Sequence, residues 1–262
     1  MPRPPGTCDD PDMATLNHQV EGAGPVVVLL HAGVADLGMW DAQVAELTRE
    51  HTVLRCDLRG FGGSALVPGS SYCDAEDVLK LLEDLDISEF SLMGASYGGY
   101  VALQIASAVP QRVERLLLLS PAAHVVEPDA ALRAMWQEEE RLVEAGDLDA
   151  ATELNVQGWL GPEADDAAKE LVRRMQRTAL VQQVAAGDVD SRELAVDYDR
   201  LAMPTWILSG AHDYAFFVET ARELAKRLPQ ATLVELAWAG HLPSLERPME
   251  TTRLLLSALN GR

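Results

Sequence analysis

The chain has 262 residues, of which 48% are hydrophobic and 24% charged, and it carries a net charge of −20. This composition is typical of a globular protein with a full hydrophobic core, and α/β chains of this length are often a single domain. The negative charge argues against nucleic acid and anionic membranes as partners, because their phosphate groups would be repelled.

The apolar runs are short and the cysteines are scattered. The longest runs, such as "VVVLL" and "LLLL", are strand-sized and too short to span a bilayer. The stretch "MPRPPGTCDDPDM" lacks the apolar segment of a secretory signal, so we expect a cytoplasmic protein with a loose N-terminal tail. Cys8, Cys56 and Cys73 form no CxxC pair, which argues against both a disulfide framework and a zinc site.

Strand and helix patterns alternate along the first part of the chain. Strands are predicted in "VVVLL", "TVLRCD", "EFSLMG" and "VERLLLLSP". Helices are predicted in "MWDAQVAELTRE", after Asp74 as a helix cap, and in "YGGYVALQIASAV" before Pro110. This alternation predicts a mostly parallel sheet flanked by helices, which is an α/β fold.

The strand pattern disappears between about residues 125 and 200. This segment is helical in pattern and contains 18 Asp and Glu against 8 Arg and Lys, a net charge of −10. Strands return with "MPTWILSG" and "ATLVELAWAG", and helices with "FFVETARELAKRLP" and "LERPMETTRLLLSALN". We therefore predict an α/β core of residues 1–124 and 201–262 with a helical cap inserted at 125–200.

One serine lies where a predicted strand turns into a predicted helix, in "SLMGASYGGYVALQIA". Such a turn strains the residue at its tip and needs small neighbours, which Gly94 and Gly98 provide. The hydroxyl of Ser96 would then lie at the C-terminal edge of the sheet, close to a helix N-terminus that favours negative charge. We expect Ser96 to be a nucleophile.

A serine nucleophile requires a base, and the base requires an orienting carboxylate. His241 follows the last predicted strand, at the same sheet edge as Ser96, and is the preferred base. His18 and His51 start strand-like segments at the opposite edge, His212 is expected to face solvent, and His124 is a weaker candidate that opens the insertion.

The candidate acid is Asp213, in the loop after "WILSG". Asp57 is expected to tie down its own glycine-rich turn, and Glu235 lies within a strand that points away from the site. The chain order Ser96, Asp213, His241 is that of α/β-hydrolases.

Ester hydrolysis also needs hydrogen-bond donors for an oxyanion. The backbone N–H of Tyr97, directly after Ser96, is one candidate. The second is expected from the loop "HAGVADLGMW", where Gly33 is the first choice and Val34 the alternative. His31 in this loop is expected to brace it without chemistry.

The segments "HAGVADLGMW", "DLRGFGGS", "GASYGG", "LSGAHD" and "AGHLPSLERP" together make the chain resemble the α/β-hydrolase superfamily. It is most similar to small esterases, enol-lactonases and acyl-homoserine lactonases. The resemblance implies Ser96, His241 and Asp213 as a catalytic triad, with Gly33 and Tyr97 as oxyanion donors. One departure is His-Ala where the superfamily usually has His-Gly, which leaves Gly33 one place later.

The resemblance leaves several reactions open. Dehalogenases and epoxide hydrolases are disfavoured because they place aspartate at the nucleophile position. C–C bond hydrolysis and cofactor-free perhydrolysis would use the same three residues, and a binding protein without activity would be expected to lack the base or the acid. No metal-ligand spacing or phosphate-binding loop is present, so we expect neither metal nor cofactor. Either a monomer or a homodimer is compatible with the sequence.

The insertion is expected to cover the substrate, a small ester or lactone. A neutral, fairly apolar substrate is preferred, and an anionic enol-lactone that pairs with an insertion arginine is the alternative. For at least half of the candidate wall residues, packing within the insertion is the expected role. The candidates are Val34, Tyr97, His124, Met135, Trp136, Trp159, Met175, Phe216 and Leu242, and the arginines are Arg133, Arg141, Arg173, Arg174 and Arg177.

Overall fold

The computed structural model describes residues 16–261, and a seven-stranded sheet forms the centre of this region. The strands of this sheet are β1 (His18–Gly22), β2 (Val26–Leu30), β3 (Thr52–Cys56), β5 (Phe90–Ala95), β6 (Val113–Leu119), β8 (Thr205–Gly210) and β9 (Ala231–Leu236). A separate pair consists of β4 (Ser71–Tyr72) and β7 (Asp190–Ser191). The order across the large sheet is β1-β3-β2-β5-β6-β8-β9, with β1 antiparallel to β3 and the other pairs parallel. The predicted mostly parallel sheet is confirmed.

Helices connect the strands and cover both faces of the sheet. Their bounds are α1 (Asp41–Leu47), α2 (Asp74–Asp84), α3 (Tyr97–Ala108), α4 (Ala130–Glu144), α5 (Leu148–Trp159), α6 (Asp166–Ala186), α7 (Ala215–Arg227), α8 (Pro243–Glu246) and α9 (Pro248–Leu259). None of these helices, within residues 16–261, is long and apolar enough to cross a membrane.

The central strands are apolar on both faces because helices pack on each side. In β2, Val28 and Leu30 point into a core shared with α2 and α3. Val27 and Leu29 point into a second core shared with α1 and α9. This alternation follows from the two-residue period of a strand.

The local predictions differ from the structure at several positions. Asp74 is the first residue of α2 and not its cap, because Cys73 occupies the capping position. The predicted closing helix is divided into α8 and α9, and Pro248 begins the second of these. The insertion contains one two-residue strand, β7, although its sequence carries no strand pattern.

Cys56 and Cys73 are buried free thiols. Cys56 is a core residue, and its burial raises the pKa of the thiol. The predicted N-terminal tail and Cys8 lie outside the described residues.

Candidate active site

Ser96 occupies a strained turn between β5 and α3. Its backbone has φ +51° and ψ −116°, and a non-glycine residue rarely adopts such angles. A Cβ atom on Gly94 would lie 2.3 Å from the carbonyl oxygen of Gly98, and one on Gly98 would lie 2.4 Å from that of His31. The two glycines allow β5, α3 and the loop at His31 to pack closely, which leaves Ser96 at the tip of the turn.

His241 and Asp213 form a buried hydrogen bond at the same sheet edge. The Nδ1 atom of His241 lies 2.7 Å from Oδ2 of Asp213, and their side chains are 2% and 0% exposed. The other carboxylate oxygen, Oδ1, accepts a hydrogen bond of 2.7 Å from the backbone N–H of Tyr214. The Nε2 atom of His241 is buried and has no hydrogen-bond partner among the described residues. Because Asp213 accepts the Nδ1 proton, Nε2 is left as a proton acceptor.

The loop that carries His241 is held by a buried glutamate. The carboxylate of Glu246 accepts the backbone N–H of Gly240 at 2.9 Å and that of Leu242 at 3.2 Å, so it binds the residues on both sides of His241. Burial raises the pKa of Glu246, while backbone hydrogen bonds from Gly240, Gly161 and Leu242 oppose that rise. Gly161 belongs to the insertion, so this carboxylate also connects the insertion to the histidine loop.

Ser96 and His241 line one cavity of about 340 Å³. Tyr97 lines it too, and as the first residue of α3 it has a backbone N–H without an acceptor inside its own helix. Gly33 and Val34 line the same cavity, and a Cβ on Gly33 would lie 3.5 Å from the Cβ of Tyr97. Both alternatives for the second donor are therefore close to Ser96.

A second cavity of about 520 Å³ shares Tyr97, Trp136 and Phe217 with the first. Its lining includes the predicted contact residues His124 and Phe216. The side chain of His124 is 77% exposed and lies 3.4 Å from the carboxylate of Glu193. This larger space adjoins the Ser96 cavity through the residues that they share.

The structure places the predicted wall residues in two groups. Val34, Trp136 and Trp159 line the Ser96 cavity. Met135 and Leu242 line neither of these two cavities, and both are buried in the core beside the sheet. Met135 and Trp136 are neighbours on α4 and point in different directions. Met135 points into the core, whereas Trp136 remains 40% exposed. Met175 is likewise a core residue.

Sequence reasoning missed a polar group on the insertion. Glu139, Asn155 and Gln176 come from α4, α5 and α6, and all three line the cavity that holds Ser96. An Asn or Gln on the apolar face of a helix is a signal that could have indicated Asn155 and Gln176. The run "EEE" at 138–140 gives no such signal, because the sequence does not show which of three identical residues faces the cavity.

Four of the five candidate arginines of the insertion bind groups outside the Ser96 cavity. Arg141 pairs with Glu138 at 2.7 Å, and Arg177 pairs with Asp149 at 2.8 Å. Arg173 pairs with Glu153 and Glu170, Arg133 donates to the carbonyl of Pro128, and Arg174 is exposed. None of these five arginines lines the Ser96 cavity.

Two polar residues near the site brace loops, as expected. His31 is fully buried, with Nδ1 2.8 Å from the carbonyl oxygen of Ala32 and Nε2 accepting the N–H of Leu58 at 2.9 Å. Burial lowers the pKa of His31, which favours its neutral form. Asp57 accepts the N–H of Gly63 at 2.7 Å and so ties down the glycine-rich turn.

Tyr97 is anchored by a buried carboxylate. Its hydroxyl donates to Asp74 at 2.7 Å, and the other oxygen of Asp74 accepts the N–H of Arg59 at 3.0 Å. Burial raises the pKa of Asp74 to about 6, although these hydrogen bonds oppose the rise. The side chain of the residue after Ser96 is thus held in place by a hydrogen bond to Asp74.

Comparison with known proteins identifies the family of the chain. The family model for the alpha/beta hydrolase fold matches residues 25–248, so the chain belongs to this family, and the predicted fold and resemblance are confirmed. A relative named 3-oxoadipate enol-lactonase 2, from Acinetobacter baylyi, is 26% identical over 243 residues, which are 89% of this chain and 88% of the relative.

Solved structures show the same similarity. The enol-lactonase from Burkholderia xenovorans is 26% identical with a TM-score of 0.78, over 94% of this chain and 96% of that one. A thermophilic esterase from Thermogutta terrifontis is 29% identical with a TM-score of 0.77, over 94% of this chain and 93% of that one. These similarities support a hydrolase activity.

Proposed function

We propose that the protein hydrolyses a carboxylic ester or lactone, with Ser96 as nucleophile, His241 as general base and Asp213 as the acid that orients the base. The observation that carries this proposal is the hydrogen bonding of the His241 imidazole. One ring nitrogen is bound to a buried carboxylate, and the other is buried without a partner in the cavity lined by Ser96.

The first half-reaction forms an acyl-enzyme. The Oγ atom of Ser96 attacks the carbonyl carbon while Nε2 of His241 takes the hydroxyl proton, and the carbonyl electrons move to the oxygen. The backbone N–H groups of Tyr97 and Gly33 donate to this oxyanion, with Val34 as the alternative to Gly33. When the bond to the leaving oxygen breaks, His241 returns the proton to it and an alcohol is released.

The second half-reaction consumes water. A water molecule attacks the acyl carbon as His241 takes one of its protons, and the Ser96 oxygen leaves with that proton. An ester thus gives an acid and an alcohol, and a lactone gives one hydroxy acid. These groups and water account for every bond change, so the proposed reaction needs no cofactor.

Residues 125–200 would act as a cap over the core of residues 1–124 and 201–262. Trp159 and Trp136 from α5 and α4 line the Ser96 cavity, which supports a role of this segment in substrate contact. Val34, His124 and Phe216 would complete the contacts from the core side and the adjoining cavity.

An anionic enol-lactone is the second candidate, favoured by the enol-lactonase names of the relatives. Its carboxylate would need a cationic partner, and a guanidinium would be the best one. The described residues lining the Ser96 cavity include Glu139 but no Lys or Arg, so this candidate ranks below a substrate without negative charge.

A fluorophosphonate probe tests the proposal. We expect one mass label on the peptide that contains Ser96, parallel loss of ester hydrolysis, and no label on the Ser96→Ala variant. Label on another residue, or active protein that takes up no label, would contradict the assignment.

A further inference from the structure

Three side chains of the insertion form a hydrogen-bonded group, which we call the acceptor cluster: Glu139, Asn155 and Gln176. The amide Nδ2 of Asn155 donates to Oε1 of Glu139 at 2.6 Å, and the amide Nε2 of Gln176 donates to the same oxygen at 3.2 Å. Each residue comes from a different helix, and the cluster lines the cavity that contains Ser96 and His241.

The orientation of the cluster follows from one indole group. The Nε1–H of Trp159 donates to Oδ1 of Asn155 at 2.6 Å, and an indole N–H can only donate. The Asn155 amide therefore donates its N–H groups to Glu139 and to the backbone carbonyl oxygen of Ala151. Glu139 must accept, so the cluster presents oxygen to its surroundings.

Two oxygens of the cluster remain for a ligand. Both amides bind Oε1 of Glu139, which leaves Oε2 available. The Oε1 atom of Gln176 is buried without a hydrogen-bond partner among the described residues, and the whole residue is only 4% exposed. A buried acceptor without a partner is costly, which indicates that a donor fills this position when the site is occupied.

The charge of Glu139 has no balancing cation in the described part of the chain. Its hydrogen-bond partners there are neutral amides, and none of the ion pairs involves it. No Lys or Arg lines the cavity within residues 16–261. Burial accordingly raises the pKa of Glu139, against the opposing effect of the two amide hydrogen bonds. A cation brought by a ligand would relieve this cost.

Aromatic rings form much of the remaining wall. Phe61, Trp136, Trp159 and Phe217 line the same cavity as the cluster. Ring faces attract cations, most strongly when water is excluded. The net charge of −20 also favours the approach of cations over anions.

We propose that the acceptor cluster is a subsite for the ammonium group of the substrate, so that the natural substrate is an ester or lactone bearing a protonated amine. An alkylammonium ion has three N–H donors and no acceptor, which matches the free oxygens of Glu139 and Gln176. This inference rests on the proposed function, because the subsite shares its cavity with Ser96 and His241.

The test compares esters of equal length that differ at the far end. One set consists of methyl esters of ω-amino acids, the second of the alkanoates in which methyl replaces the amine, and the third of half-esters of the dicarboxylic acids. We expect kcat/KM for the ammonium ester to exceed that of its methyl analogue tenfold or more at the best chain length, which corresponds to about 1.4 kcal/mol of transition-state binding. The dicarboxylate half-esters should be the poorest substrates.

Glu139→Gln should abolish this preference, so that the ratio of kcat/KM for the ammonium ester to that for its methyl analogue falls to about one, whatever the activity of the variant on the neutral ester. Glu140→Gln is the matched control, since it removes the same charge from an exposed neighbour on the same helix. If the overall negative charge of the protein caused the preference, both variants would behave alike. Salt at about 0.5 M would then also remove the preference, because it screens long-range charge interactions. That result would overturn the subsite.

A measurement on the wild-type protein avoids dependence on folding of the variant. An alkylammonium ion should inhibit hydrolysis of the neutral ester competitively and at lower concentration than the alcohol or carboxylate of equal length. Equal or weaker inhibition by the ammonium ion would refute the subsite. If the neutral ester is hydrolysed and Ser96→Ala is inactive, such a failure affects the subsite alone; equal hydrolysis by Ser96→Ala would refute the proposed function itself.

Discussion

Trp159 and His241 contact each other through both backbone and side chain. The carbonyl oxygen of Trp159 accepts the backbone N–H of His241 at 3.1 Å, and the two ring centroids are 4.7 Å apart. Phe217 lies on the imidazole as well, with centroids 4.1 Å apart. The last residue of α5 therefore helps to set the position of the histidine.

Trp159→Phe tests this contact. The variant keeps an aromatic ring beside His241 but removes the Nε1–H that binds Asn155, so a buried oxygen loses its donor. We expect the free energy of unfolding to fall by about 1–3 kcal/mol and kcat to fall as well. Urea denaturation and steady-state kinetics measure the two effects. Trp206→Phe, at a half-buried tryptophan on β8, should change neither by a comparable amount.

Glu246→Gln tests the clamp on the histidine loop. Glutamine offers one acceptor oxygen where the carboxylate serves N–H groups from Gly240 and Leu242 with two. We expect a lower kcat with a nearly unchanged KM, because the loop supports the base and does not bind substrate, and a loss of about 1–3 kcal/mol in stability. Glu250→Gln, which breaks a surface ion pair with Arg247, is the control. A rise in KM at constant kcat would show that Glu246 acts on substrate binding instead.

Asp213→Asn and His212→Ala separate two neighbouring residues. The asparagine keeps the shape of Asp213 but cannot stabilise the imidazolium that forms in the reaction, so kcat should fall by about 10⁴ with the fold retained. His212 is exposed, and its alanine variant should remain active. Circular dichroism checks the fold. An inactive His212→Ala together with an active Asp213→Asn would reverse the assignment of this loop.

Asp74→Asn tests the pH dependence of stability. The pKa of Asp74 is raised from 3.8 to about 6, so between these values the folded state binds more protons than the unfolded state. Stability of the wild type therefore falls as pH rises from about 4 to about 6, by roughly 2–3 kcal/mol from this group.

The asparagine variant lacks this titration. Its free energy of unfolding should therefore rise relative to that of the wild type as the pH increases over the same range. Urea denaturation at several pH values gives both curves. Any constant loss from altered hydrogen bonds to Tyr97 and Arg59 shifts the variant equally at every pH. Parallel curves would show that Asp74 does not titrate in this range.

The sequence by itself determined most of the architecture and the candidate reactive residues. Strand and helix periods, and the glycines around Ser96, are local signals that tertiary contacts did not override. The chain order of Ser96, Asp213 and His241 was readable because each follows a strand, and parallel strands end at one edge of a sheet. The errors concerned single residues or short segments. Asp74 was predicted to cap a helix, but its side chain instead binds Tyr97, which lies in a distant part of the chain.

Only the tertiary structure decided which insertion residues face the site. Glu138, Glu139 and Glu140 are identical in sequence, yet Glu138 pairs with Arg141 on the surface, Glu140 is exposed, and Glu139 meets two amides at the cavity. Successive residues on a helix differ by about 100° in direction, so the packing of α4 against α5 and α6 selects one of the three. That choice depends on contacts between helices, which no local pattern along the chain contains.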